Sequence, residues 1–559
     1  MTTPRRRLDP SSSPSSSSPP TFLSRLRSAT SNLLMRQYSS KKEGNGSGRR
    51  KGGSSSAPRA RSPGFVDPSS WRYFDSRAVG INLNAIPKSA WTVLRTLKQK
   101  GFDAYLVGGC VRDLLLKRAP KDFDIITSAS LQQIKKNIFR RCMIVGKRFP
   151  ICQIRMCGSV IEVSSFRTTG YYVKRTERND CLEELNGYDD ADVLRWKNSM
   201  KRDFTINGLF FNPMNYKIYD YVNGVRDLRK NKVCTVIPAH VSFTEDPARI
   251  LRGLRIAARL GFQFSSETST AIRDLSSSII DIDKSRLMME MNYLLSYGAA
   301  EPSLRLLREY GLLDMLLPFQ GAYLSDQMKD KSSNKDLMLM KLLANLDKLL
   351  SADRPCHCSL WLALMAFHSA LVNSPQDAQV IRAFAALLYF GTWEGSVEIL
   401  KEDVGAHVPF VPEILEPSRT NLGSLMEQTS HLASLVRSSV HTLTQLDLLR
   451  QSVARFLDPP QFSGLVFISK NERSRLLKLF DGLDSDLASY DQRKRMYEID
   501  YELLKDGDPS EVRYVLGKVI MDTMSAELRC ESTVDAAVTL KPAAKGLDEG
   551  SHHPLSRLF

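Results

Sequence analysis

The residues able to do chemistry gather between Tyr105 and Ile125, in YLVGGCVRDLLLKRAPKDFDI. Asp122 and Asp124 stand at i and i+2. A strand turns such positions to one face, so two carboxylates would point together, with Phe123 and Ile125 on the other face. That pair is half of a site for a hard divalent cation. Mg²⁺ takes oxygen ligands, usually one or two carboxylates plus substrate phosphates. Upstream, Gly108 and Gly109 let backbone N–H groups approach a phosphate, and Arg112 adds a planar positive fork. A phosphate cradle followed by metal carboxylates is the layout of phosphoryl or nucleotidyl transfer.

These residues need a frame. Ala104 to Val107 is predicted as a strand, followed by a Gly-Gly turn, a helix start, a Lys/Arg/Pro loop and a second strand carrying both aspartates. A helix is expected from Pro87, with Ala90, Val93, Leu94 and Leu97 on one face and Gly101 ending it. Leu131 to Phe139 is predicted helical. Ile151–Met156 and Val160–Phe166 are expected to form a hairpin turning near Gly158-Ser159, with Glu162 in its second strand. The polar stretch 168–187 reads as a mobile loop over the site, and a helix is expected from about Tyr188 to Met200.

GGCVRDLLL followed by KDFDI resembles the class II nucleotidyltransferases, the family of bacterial-type poly(A) polymerases and tRNA CCA-adding enzymes. KRDFTING at 201–208 is similar to the family's Arg-Arg-Asp-Phe-Thr-Ile-Asn-Ala, with Lys201 and Gly208 as departures. Lys201 keeps the charge and loses the bidentate fork. Asp220 to Leu228 resembles the next element, a turn and short helix with a positioning role. EDPARILRGLR at 245–255 resembles the family's Glu-Asp-x-x-Arg element.

The resemblance implies an α+β head of polymerase-β-like fold with a small mixed sheet, followed by an all-α neck, body and tail. It implies that Asp122, Asp124 and Glu162 hold two Mg²⁺, one activating an RNA 3′-hydroxyl and one stabilising leaving pyrophosphate. It assigns nucleotide binding to Gly108, Gly109, Arg112, Asp113, Arg202, Asp203, Asn207, Asp246, Arg249 and Arg252. Within that set Asp246 and Arg249, at i and i+3, are expected side by side on a helix face, reading a nucleobase edge. Arg255 and Arg259 continue that helix toward RNA or phosphate. ATP as substrate and the 3′ end of an mRNA or tRNA as partner follow. VGKRF at 145–149 and Phe123 between the aspartates favour the poly(A) branch, as in plant-organelle enzymes. CCA addition, or an RNA-binding relative without catalysis, are the alternatives.

Composition bounds the rest. The 559 residues exceed one small domain, and 42% apolar with 25% charged residues is ordinary for a globular chain. No apolar run reaches transmembrane length, so no membrane partner is expected. Of the formal charge of +17, residues 1–64 carry +11. That segment is rich in Ser, Pro and Arg. Phe22, Leu26, Ala29 and Leu33 share one helical face, and Arg36-Gln37-Tyr38-Ser39 resembles a mitochondrial processing site. A transit peptide is expected over 1–64, to the mitochondrion ahead of the chloroplast. A linker is expected over 65–86, the head over 87–230, the neck over 231–320, a helical body and tail over 321–521, and a disordered end over 522–559. Nine scattered cysteines include no C-x-x-C pair, and Cys356-His357-Cys358 lacks a second half for zinc.

Overall fold

A computed structural model describes residues 68–146, 150–167, 188–329, 337–402, 410–415, 421–456, 463–494 and 496–525. The expected transit segment, most of VGKRF and the stretch 168–187 expected to be a loop lie outside the described residues.

The head is one mixed sheet. Its strands are β1 (Arg72–Asp75), β2 (Ala104–Val107), β3 (Asp124–Thr127), β4 (Cys142–Val145), β5 (Ile151–Met156), β6 (Ser159–Ser165), β7 (Phe210–Asn212) and β8 (Lys217–Asp220). Their order across the sheet is β1-β8-β7-β2-β3-β6-β5-β4. β3 and β6 run parallel; their neighbours are antiparallel. The period-two alternation divides the side chains cleanly. Leu106, Ile125, Cys152 and Val163 face the main core, where α1 (Lys88–Gln99) buries Ala90, Val93, Leu94 and Leu97 against them. Tyr105, Val107, Ile126, Phe210, Tyr219 and Tyr221 form a second, aromatic layer on the other face with Trp71.

Two expectations need correcting. The stretch 65–86 is not a linker throughout: β1 pairs with β8, and Trp71, Val79, Ile81 and Ile86 are buried. Its apolar residues are too sparse to show a period, yet these four pack into the core layers of the sheet. Leu131–Gln133 opens as α-helix behind a Ser130/Gln133 capping box, then widens into a π-turn over Ile134–Ile138. The hairpin turns through Cys157 and Gly158, both at positive φ.

The 203–208 segment is fixed from below by α4 (Gly224–Arg229), after α2 (Gly109–Leu115) and α3 (Asp190–Ser199) earlier in the chain. Asp220 accepts hydrogen bonds from the N–H groups of Val222, Gly224 and Val225 and so shapes the turn into α4. Gly224 is required there. A Cβ would lie 2.3 Å from the Thr205 carbonyl oxygen and 3.0 Å from Leu209 Cδ2. Gly224→Ala should cost about 1–3 kcal/mol, read as a lowered urea midpoint at unchanged slope. Gly208, one of the two departures, also has a local reason: a Cβ would meet Val222 Cγ2 at 2.6 Å.

The neck follows as α5 (Ala239–Glu245), α6 (Ala248–Leu260), α7 (Ser266–Asp274) and α8 (Lys284–Leu295). α6 buries Ile250, Leu251, Leu254 and Ala257 and turns Arg252, Arg255 and Arg259 to another face. Gly253 admits the Phe204 ring, whose Cζ would be 2.8 Å from a Cβ, and this joins neck to head. The body is helical, led by Cys358–Asn373, Ala378–Phe390, Leu422–Thr444 and Pro509–Met524. The last of these runs past the expected boundary at 522, because Thr523 and Met524 are still buried. Among the described residues no helix is long and apolar enough to cross a membrane.

Candidate active site

β3 and β6 place their carboxylates by register. Asp124 is paired directly with Glu162 across the parallel strands, on the face away from the main core. Like charges at such a pair repel. Burial, with Glu162 and Asp122 adding to it and Arg202 opposing, pushes the Asp124 carboxyl up to about 6. Glu162 accepts a hydrogen bond from Gln153 Nε2 at 3.1 Å. Oxygen donors with unrelieved mutual repulsion fit a hard divalent cation. Asp124 and Glu162 are the residues that would hold it.

Asp122 is placed differently from the expectation. The strand begins at Asp124, so Asp122 is on the incoming loop, 72% exposed, with Oδ2 3.9 Å from Lys121 Nζ. Pro120 and the charged loop before it keep the chain out of the ladder until Asp124. Asp122 still lies close enough to raise the Asp124 pKa.

The carboxylates line an open cleft of about 1040 Å³. Its walls include Gly108, Gly109, Lys201, Arg202, Asp203, Asn207, Asp246, Arg249 and Arg252. Gly108 has φ +76°, and a Cβ there would lie 3.2 Å from Arg202 Nη1 and 3.8 Å from Asp124 Oδ2. The turn therefore brings backbone, guanidinium and carboxylate together. α3 delivers Arg202. It is anchored by buried Arg195, which donates to Tyr221 Oη (2.7 Å) and Tyr105 Oη (2.6 Å) and pairs with Asp192. Lys201 lines the same cleft and is exposed.

Behind the cleft runs a continuous polar chain. Arg112 grips Asp113 with two nitrogens and donates to Asn207 Oδ1 at 2.8 Å. Asn207 Nδ2 donates to Asp203 Oδ1 at 3.1 Å, and Asp203 Oδ2 accepts from Arg252 Nη1 at 3.2 Å. Burial works against the Asp203 charge, but Arg252, Asn207 and the Phe204 N–H outweigh it and hold the carboxyl below its usual range. Arg112 and Asp113 are thus a brace for Asn207 and lie outside the cleft lining.

Asp246 and Arg249 are not side by side on one helix. Asp246 sits between α5 and α6 with extended backbone, since Pro247 starts the new helix. Its carboxylate accepts from Arg286 Nη2 at 2.8 Å. Arg249 instead donates to Ser242 Oγ (2.9 Å) and Glu245 Oε2 (3.2 Å). Both still line the cleft, joined by Arg286, which sequence reasoning missed. One signal was available: Lys284 and Arg286 put two cations in the first turn of α8, where the helix dipole disfavours them, so an anionic partner from elsewhere was to be expected.

Away from the cleft, His357, Cys358 and Glu472 each bring a ligand atom within 4.8 Å of the others. Cys358 Sγ lies 3.6 and 3.8 Å from the two ring nitrogens, beside the ring and off the lone-pair line of either. Nδ1 accepts the Ser359 N–H and Arg475 Nη1 lies 3.3 Å from Nε2. This is a helix cap with its packing, not the geometry of a metal centre.

Residues 104–234 match the poly A polymerase head domain, and 261–324 match the probable RNA and SrmB-binding site of polymerase A. The chain is 33% identical over 264 residues to poly(A) polymerase I of Haemophilus influenzae, covering 47% of this chain and 57% of that protein. It is 27% identical over 293 residues to the CCA-adding enzyme of Staphylococcus epidermidis, covering 52% and 64%. Both matches span less than two thirds of the relative's length. A crystal structure of the Bacillus stearothermophilus CCA-adding enzyme in complex with CTP is similar at 22% identity and a TM-score of 0.39, covering 70% of this chain and 91% of that one. With the head and RNA-binding segments both matched in order, the chain is similar to poly(A) polymerases and CCA-adding enzymes, consistent with the class II nucleotidyltransferase family.

Proposed function

We propose that the protein adds AMP from ATP to RNA 3′ ends without a template. The observation that carries this is the Asp124–Glu162 register pair opening into a cleft walled by Gly108, Lys201 and Arg202. In the reaction the RNA 3′-hydroxyl attacks the α-phosphorus of ATP, the bond to the β-phosphate oxygen breaks, and pyrophosphate leaves. Divalent cations, when bound, lower the pKa of the attacking hydroxyl and neutralise charge on the leaving oxygens. Asp124 and Glu162 would hold them, with Asp122 joining from its loop. Lys201 and Arg202 take the triphosphate, the fork of Arg202 matching phosphate oxygens. Asp203, with Arg252 and Asn207 on its two oxygens, is the fixed acceptor at the sugar. Asp246, Arg249 and Arg286 present an acceptor and two planar donors to the base. The rate then comes from placement and charge neutralisation by groups already in position.

Addition of A alone is supported by VGKRF at 145–149 and by Phe123 between the aspartates, the features that resemble the poly(A) branch. The basic 1–64 segment supports delivery to an organelle, the mitochondrion ahead of the chloroplast. Replacing Asp122 and Asp124 together by Ala should abolish incorporation of labelled ATP while leaving RNA affinity within about threefold, since no cation on the RNA path is removed. Unchanged incorporation would exclude Asp122 and Asp124 as the metal-holding carboxylates.

A further inference from the structure

Beyond the cleft, on the side of Asp122, cations and aromatic rings interleave. Tyr293 of α8 and Tyr297 just past its end are one turn apart, with ring centroids 5.3 Å from each other. Arg255 lies over the Tyr293 ring at 4.8 Å and Arg259 over Tyr297 at 4.8 Å. Lys121 reaches Tyr297 at 4.6 Å and Tyr293 at 5.7 Å. Arg118 tethers the same loop to the neck by donating to the Arg259 carbonyl at 3.0 Å.

This cluster is short of anions. The Nε atoms of Arg255 and Arg259 are buried and have no hydrogen-bond partner. Buried Glu290 must serve both Arg252 (3.8 Å) and Arg255 (3.7 Å). Burial, then the neighbouring charges of Arg255 and Arg112, draw the Arg259 pKa down to about 10. Two half-buried tyrosine rings among under-compensated guanidinium groups suit a ligand with flat rings and negative charges at short intervals. The position narrows it further. Lys121 adjoins Asp122, and Arg252, on the same face of α6, holds Asp203 of the nucleotide cleft.

We propose that Tyr293 and Tyr297, framed by Lys121, Arg255 and Arg259, are the stacking platform that seats the last one or two bases of single-stranded RNA beside Asp122. This rests on the reading of the chain as an RNA nucleotidyltransferase and names residues for its primer side. Lys121 occupies the ring face in the free protein. It is on a loop, with its side chain 38% exposed, and so is free to give up the face to a base and meet the adjoining phosphate. Stacking does not discriminate among bases, so the platform accepts any 3′ end and leaves nucleotide choice to the cleft.

The test uses the full chain and a short single-stranded RNA with 2-aminopurine at its 3′ terminus, read first without nucleotide. Binding to wild type should quench the fluorophore. Tyr293→Ala/Tyr297→Ala should lose the quench and raise the RNA KM about tenfold or more, with the ATP KM unchanged. Tyr293→Phe/Tyr297→Phe should keep both. The platform is overturned if the Ala variant quenches like wild type, if the Phe variant fails as badly as Ala, or if the ATP KM rises in parallel. Quenching without incorporation by wild type would sink the enzyme reading and leave the platform standing. Incorporation with an unmoved RNA KM in the Ala variant would do the reverse.

Discussion

Asp124→Asn should lower nucleotide incorporation by about a thousandfold or more while making the metal-free protein more stable at neutral pH. The first half follows from removing a charge placed where the reaction develops charge. The second follows from linkage. The Asp124 carboxyl titrates near 6 in the folded protein against an ordinary 3.8. A carboxyl raised in this way binds its proton more tightly when folded, so its ionisation opposes folding. The penalty is absent below about pH 4, grows through the window between the two values, and is complete above about 6. Its size is at most about 3 kcal/mol. Asn carries no charge and escapes it. Denaturation midpoints of wild type and variant should converge near pH 4 and separate as pH rises, the variant higher. Millimolar Mg²⁺ should stabilise wild type and leave the variant unmoved. A variant less stable than wild type at pH 8 would mean that Asp124 is held by partners and is not a poised metal ligand.

Asp203→Ala should be the most damaging single change to the head. Asp203 is 8% exposed and holds Arg252, Asn207 and the Phe204 N–H at once. Its loss leaves Arg252 with only Glu290 at 3.8 Å, which Arg255 already shares. Truncating one partner of such a buried pair costs about 3–5 kcal/mol. The variant should unfold at a clearly lower midpoint, and what remains folded should bind ATP poorly. Asp203→Asn, which keeps the shape and one acceptor, should recover part of the stability and little of the affinity. Equal losses in both variants would show that charge, not packing, dominates.

The parts of the site legible in the sequence were those carried by local period. Asp124 follows from strand alternation; Glu162 was legible as a strand residue, but its role came from the family resemblance, and its pairing with Asp124 depends on β3 and β6 being neighbours. Gly108 at positive φ follows from a Gly-Gly turn between strand and helix. What the sequence hid was set by non-local contacts. Asp122 belongs to the loop, because nothing in D-x-D says where the ladder begins. Asp246 and Arg249 are i, i+3, but Pro247 divides them between two helices, and Arg286, far away in the chain, supplies the partner. β1 was hidden because a four-residue edge strand with mostly exposed side chains has no apolar rhythm. The tie of Arg112 and Asp113 to Asn207 was hidden because residue type alone does not show a contact 95 positions away in the chain.

The most direct measurement of the central claim is incorporation of each labelled NTP, with Mg²⁺, into two RNAs: one unstructured, the other a tRNA lacking its CCA end. Extension of the unstructured RNA with ATP alone, repeated over many additions, is expected. Addition of C, C and A to the tRNA followed by arrest would contradict A-only addition and move the protein to the CCA-adding side of its family. No incorporation into either RNA, with RNA still bound, would contradict the catalytic reading of Asp124 and Glu162 altogether.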